Sequence, residues 1–180
     1  IFIFYNFLNF EDGANGIAIS LCIFFILVKV LNTGQISIFE LIIILNLFFC
    51  LILNLKNITF LGNSGVSFLG LIISLIYIDQ YNQNKGLLCD EIFFIFFIPG
   101  IDMTRLVIHR ISRGKFIYES DNEHLHHYLM KIFKHRNVFI IYLIIAILPW
   151  IIFSLIKNFF VSFSISLALY LFTLIRCKII

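Results

Sequence analysis

Between Ile58 and Ile78 the chain reads ITFLGNSGVSFLGLIISLIYI, and none of those residues carries a charge. An α-helix crosses the hydrocarbon core of a bilayer in about 20 mostly apolar residues. Runs of this kind recur along the whole sequence, giving six candidate spans at roughly 16–32, 37–54, 64–79, 87–109, 138–157 and 159–176. Helices rather than strands follow from the run length and from the need to satisfy every backbone group inside lipid. The composition agrees, with 61% hydrophobic and 13% charged residues among 180, where a soluble domain carries about 25% charged residues. A folded domain of this size still has to cover itself with polar groups, and this one has too few. The expectation is an all-α polytopic membrane helix bundle of about six spans, forming one domain over residues 1–180. Pro99-Gly100 inside the fourth run predicts a kink there.

The chain enters directly on IFIFYNFLNFEDG, with neither a positively charged leader nor a cleavage site in view. It reads as a piece of a longer frame. The four cysteines, at 22, 50, 89 and 177, sit in or beside apolar runs without a CxxC spacing. They read as buried thiols.

Helix parity sorts the 13 lysines and arginines between two sides. One side takes Lys56, Arg105, Arg110, Arg113, Lys115, Lys131, Lys134, Arg136, Arg176 and Lys178; the other takes Lys29, Lys85 and Lys157. The richer side is therefore expected in the cytoplasm, together with the loop 110–137. Three polar stretches fall on that same side: NFLNFEDGANG (6–16), FLGNSG (60–65) and ESDNEHLHH (119–127).

In the first stretch Asn9, Asp12 and Asn15 are spaced by three and are expected on one helical face. Gly13 and Gly16 would let a ligand or another backbone approach closely. That face could line a ligand or cation, or Asp12 could simply serve the start of a helix. Gly62-Asn63-Ser64-Gly65 stands where a loop becomes a helix. Its free N–H groups suit a phosphate, and equally suit an ordinary cap by Asn63 or Ser64. In the fourth run Asp102 and Arg105 are an ionisable pair at membrane depth, a functional signal by default and also a plain i,i+3 pair. Arg110, Arg113 and Lys115 are expected near the interface.

Ser120 and Glu123 read as a capping box, so a short helix should begin there. Leu125, Tyr128, Leu129, Ile132 and Phe133 form one apolar stripe, which places that helix along the membrane interface. His124 and His127 are expected on one face and His126 on another. These imidazoles could be solvated, could hold a metal, or could donate to an anionic ligand beside Arg and Lys. No Cys or carboxylate completes a zinc ligand set in the sequence.

At these residues the chain resembles the polyprenyl-phosphate N-acetylhexosamine-1-phosphate transferases, glycosyltransferase family 4, relatives of the phospho-N-acetylmuramoyl-pentapeptide transferases. The family shows NxxNxxDGxDG, GDxGS, a D…R…R stretch and a His-x-His-His or triple-His loop. Here they read NFLNFEDGANG, GNSGVS, DMTRLVIHR and HLHH, in the same order. The resemblance covers Asn6 to about Phe133, and HLHH is nearer the branch that initiates O-antigen and teichoic-acid glycans. It implies transfer of a sugar-1-phosphate from a UDP-N-acetylhexosamine to undecaprenyl phosphate, with release of UMP, at the bacterial cytoplasmic membrane. It implies Mg²⁺, with Mn²⁺ as an alternative. Asn9 and Asp12 would be catalytic, and Asn63 (the family's Asp position) and Asp12 would hold the metal. Asn6, Asn15, Asp102, Arg105, Arg110, His124, His126 and His127 would bind substrate. A homodimer is compatible with this reading, and no nucleic acid is expected. Departures are Asn63 and Asn15 in place of Asp, and Val66 inside the GS pair. The family's Asp-Asp motif and about five spans would lie upstream, so residues 1–180 alone are expected to be inactive. The alternative is a non-catalytic membrane protein, transporter-like or a decayed family member.

Overall fold

The computed structural model describes residues 2–83, 88–116 and 123–179. Among them the chain is helical throughout: α1 (Phe2–Glu11), α2 (Ile17–Thr33), α3 (Ile38–Leu55), α4 (Gly62–Asn82), α5 (Cys89–Ile95), α6 (Phe97–Ser112), α7 (Leu125–Ile132), α8 (His135–Ile156) and α9 (Phe159–Ile179). α3, α4, α8 and α9 are long and apolar enough to cross a membrane. α5 and α6 make a fifth candidate span when taken together, bent by 68°. The break falls at Phe96, three residues before Pro99. Proline removes the N–H that would bond back four residues and crowds that turn, so the bend lies N-terminal to it.

The remaining run forms α2, only 17 residues long, or about 25 Å. It is buried on almost every side and sits at the centre of the bundle, packed against α1, α3, α4 and α8. A helix that is apolar all round has no polar face to turn outward, so it takes the core. The ring centroids of Phe25 and Phe96 lie 4.3 Å apart, tilted by 47°, and the Tyr77 hydroxyl donates to the Phe25 carbonyl at 2.8 Å. Around the break, Phe94 lies 4.6 Å from Phe153 and Phe93 lies 5.4 Å from Phe159, joining α5 to α8 and α9. By contrast α3 turns Leu41, Ile42, Leu45, Phe48, Phe49 and Ile52 outward, the face that a bilayer covers.

The ends of the helices sort as parity requires. Asn54 at the end of α3, the start of α4, the end of α6 and the start of α8 all meet the segment 10–16. Lys29, Glu40, Asp79 and Gln80 gather around a cavity of about 450 Å³ at the opposite end.

Three local expectations change. α7 does not float along an interface: Leu125, Tyr128 and Leu129 are buried against α8 and α9, and only Phe133 stays exposed. An amphipathic stripe reports which face is apolar, not whether protein or lipid covers it. The loop 110–137 is shorter than expected, because α6 runs on to Ser112. Cys22 and Cys177 are buried and Cys50 is half-buried, but Cys89 is exposed in the first turn of α5; all four are free. The capping residue Ser120 lies outside the described residues.

Candidate functional site

α1 ends at Glu11, and residues 12–16 turn through Gly16 at φ 85° into α2. Asp12 and Asn15 therefore leave the helix, and the single face shared by Asn9, Asp12 and Asn15 does not form. Asn6 and Asn9 remain half-buried on α1. Side-chain amides hold the turn instead. Asn15 Nδ2 donates to Asn57 Oδ1, and Asn54 Oδ1 accepts from Gly16 N at 2.6 Å while its Nδ2 donates to the Thr59 carbonyl at 2.9 Å. Only glycine fits at 16, where a Cβ would stand 2.9 Å from Leu55 and 3.1 Å from Phe139.

The same turn meets the GNSG segment. No side chain of α4 caps its first turn, and Asn63 and Ser64 are exposed. The backbone N–H of Gly62 donates to Asp12, whose carboxyl is pushed up by burial and drawn back by that hydrogen bond. A carboxylate from outside thus serves the positive end of α4. Asp12 and the residue next to Gly62, Asn63, are hard oxygen donors. Among the described residues no three His, Cys, Asp or Glu side chains gather into a metal cage. Mg²⁺ at phosphates asks for less, one or two carboxylates with water and substrate oxygens completing its octahedron. Asp12 and Asn63 could supply at most two of those oxygens.

Asp102 is 0% exposed. Its Oδ1 accepts from Arg105 at 2.9 Å and from the Tyr170 hydroxyl at 2.6 Å. Its Oδ2 accepts from the backbone N–H of Leu125 at 3.1 Å and lies 3.9 Å from His124 Nδ1. The carboxylate caps α7 from a distance, doing the work assigned to Ser120. With both oxygens engaged it holds the start of the histidine segment in place. Arg105 also donates to the Glu123 carbonyl, and Glu123 pairs with His109 at 2.8 Å and Arg113 at 3.0 Å. These two pairs draw Glu123 toward α6.

The three imidazoles cluster. Ring centroids are 5.1 Å apart for His124–His126, 4.3 Å for His126–His127 and 5.7 Å for His124–His127. His124 is the N-cap, in extended backbone at φ −66° and ψ 151°. Helical spacing therefore does not govern its direction, and the expected separation of His126 from the other two is lost. His126 is 0% exposed and packs on Gly13, where a Cβ would lie 2.6 Å from its Nε2. Its Nδ1 stands 3.3 Å from Glu11 Oε2. Burial lowers His126 to about 4, with the charge of Asp102 opposing. Burial and then Asp102 push Glu11 well up, with the nearby Tyr142 hydroxyl pulling the other way. Glu11 Oε1, His126 Nε2 and the Tyr142 hydroxyl are all buried without a well-formed hydrogen bond. Arg110 is buried over the Phe10 ring at 5.1 Å, and Phe10 lies 5.4 Å from His124.

The structure thus brings Asp12, Gly13, Asn63, Asp102, Arg105, Arg110 and the three histidines to one end of the bundle. Asn15 is diverted to the 57–59 loop. Sequence reasoning missed Glu11, Tyr142, Tyr170 and Asn54. Only Asn54, a polar residue closing an apolar run, left a signal. No protein-family model, curated protein or solved structure matches the chain.

Proposed function

We propose that this chain carries part of a polytopic membrane transferase that moves a sugar-1-phosphate from a UDP-N-acetylhexosamine to undecaprenyl phosphate, starting a cell-envelope glycan. One observation supports this above the rest: segments 9–16, 61–65, 102–110 and 124–127 meet through Asp12–Gly62, Gly13–His126 and Asp102–Leu125. The first two contacts join segments about 50 and 113 positions apart, and they unite the same motifs on which the family resemblance rests.

In this reading an oxygen of the lipid phosphate attacks the β-phosphorus of the UDP-sugar. The bond from that phosphorus to the bridging oxygen breaks, and UMP leaves with the electron pair. Bound Mg²⁺ would neutralise charge on the diphosphate. Asp12 and Asn63 would hold it, and His127, half-buried and in contact with His126, would donate to phosphate oxygens. Asp102 and Arg105 fix the start of α7 so that the imidazoles stay together. The active-site end would face the cytoplasm, following the excess of Lys and Arg at that end.

A transporter with a histidine-lined mouth finds less support. The polar side chains along α3 that could serve such a path are Glu40 and Asn46. Glu40 is engaged with Lys29 at 2.8 Å, and Asn46 is exposed and donates back to the Ile42 carbonyl.

The test is UMP release by the full reading frame containing this chain, in detergent, with undecaprenyl phosphate, Mg²⁺ and a panel of UDP-N-acetylhexosamines. Release that requires all three is the expected result. No release from any sugar nucleotide, with Asn63→Asp equally silent, removes the transferase reading. Release only after Asn63→Asp identifies a decayed enzyme.

A further inference from the structure

Four cations stand at the ends of three helices. Lys131 closes α7, Lys134 precedes α8, and Arg176 and Lys178 close α9. All four are exposed. Lys131 Nζ lies 5.1 Å and Lys178 Nζ 5.5 Å from the centroid of one ring, that of Tyr128. The two ammoniums therefore stand within about a Debye length of each other. Among the described residues no carboxylate lies within ion-pair distance of any of the four. Helix C-termini favour cations, and that accounts for one lysine on each helix. It does not account for two lysines from separate helices converging on one ring.

The level in the membrane supplies the missing partner. α9 is a candidate span ending at Ile179, and the span in α8 begins at Asn137. The four cations therefore sit where hydrocarbon gives way to headgroups. Arg176 also lies over Phe172 at 5.5 Å, so an apolar ring stands beside a charge at this level too.

We propose that Lys131 and Lys178, flanking Tyr128 and supported by Lys134 and Arg176, form a binding site for the headgroup of an anionic phospholipid. The headgroup phosphate would bridge the two ammoniums and tie the end of α7 to the end of α9. Its acyl chains would run down the outward apolar residues of α9. The site is independent of the transferase reading, because it needs neither a sugar nucleotide nor a divalent ion.

The test uses the full reading frame purified in neutral detergent, titrated with phosphatidylglycerol or phosphatidylcholine, and read by thermal unfolding and by native mass spectrometry of retained lipid. Phosphatidylglycerol should raise the unfolding temperature and remain bound, and phosphatidylcholine should do neither. Each lysine removed should weaken phosphatidylglycerol binding about fivefold, and Lys131→Gln with Lys178→Gln roughly 25-fold. Lys157→Gln, at the opposite end, should leave it unchanged. Both target lysines are exposed, so the double variant keeps its fold. Three results overturn the proposal: no preference for phosphatidylglycerol, an unchanged response in the double variant, or full stabilisation by inorganic phosphate alone.

Discussion

Two buried clusters of charge stand at opposite ends of this bundle, and they differ in what they leave undone. At one end Lys29 Nζ meets Glu40 Oε1 at 2.8 Å and Oε2 at 3.0 Å and donates to the Gln35 carbonyl at 3.3 Å. Glu40 also accepts from Ser37 N at 2.9 Å, while Ser37 Oγ caps Glu40 N at 3.2 Å. The pair fastens the α2–α3 turn with its strong bonding positions filled. At the other end Glu11, His126 and Tyr142 keep three polar atoms buried without a well-formed hydrogen bond. Buried polar atoms normally find partners, so the exceptions ask for an explanation. The saturated cluster holds the fold together. The unsaturated one stands where the motifs of the proposed transferase meet.

The largest break in that contrast should come from Asp102→Ala. It removes the acceptor for Arg105, Tyr170 and Leu125 N together. Stripping one partner from a buried ion pair costs about 3–5 kcal/mol, so chemical unfolding should shift by that order and UMP release should vanish. Asp102→Asn, which keeps the shape and one acceptor oxygen, should lose less. Equal loss in both would mean that charge, not bonding, dominates. Next in size is a pH effect. The folded state holds His126 at about 4, below its ordinary 6.5. Between those values the unfolded chain binds the extra proton, so this contribution is complete above pH 6.5 and drains away as pH falls toward 4, by roughly 3 kcal/mol. Glu11 shifts the opposite way. Its ordinary value is exceeded in the folded state, so stability from it is complete at low pH and is lost as pH rises above about 4.5. Between about pH 4.5 and 6.5 the two slopes oppose each other and largely cancel. His126→Gln should therefore uncover a fall in stability as pH rises above about 4.5; a curve unchanged from wild type would place the proton elsewhere.

Much of this arrangement was legible in the sequence, and the remainder was hidden for physical reasons. Run length gave α3, α4, α8 and α9, because crossing lipid constrains composition over the whole segment. Parity then brought three polar segments to one end, since a spanning helix allows only two sides. Glu11 could not be singled out. It precedes Asp12, and nothing local tells which of two neighbouring carboxylates enters the core; its partner His126 lies 115 positions away. Tyr142 and Tyr170 look like ordinary residues of apolar runs until Glu11 and Asp102 are placed beside them. The direction of His124 was misread because helical spacing was applied to a residue that caps the helix in extended backbone.

Two glycines carry the comparison to its smaller effects. Gly13 lies against the unsaturated cluster and Gly34 beside the saturated one. An Ala methyl at 13 would stand 2.6 Å from His126 Nε2 and 3.2 Å from Cε1. His126 is enclosed and tied to Glu11, so it can yield only by leaving its pocket. Overpacking of this kind costs about 1–3 kcal/mol, and Gly13→Ala should cut UMP release far more than its loss of stability explains. Gly34 caps α2 at φ 64°, and nothing lies within 4 Å of a Cβ built there. Gly34→Ala meets no neighbour and carries only the left-handed backbone strain, about 1 kcal/mol. Thermal unfolding should register that loss while UMP release per folded molecule stays at the wild-type level. If Gly34→Ala instead silences release as Gly13→Ala does, the two ends are not separable, and the saturated ion pair belongs to the working site as well.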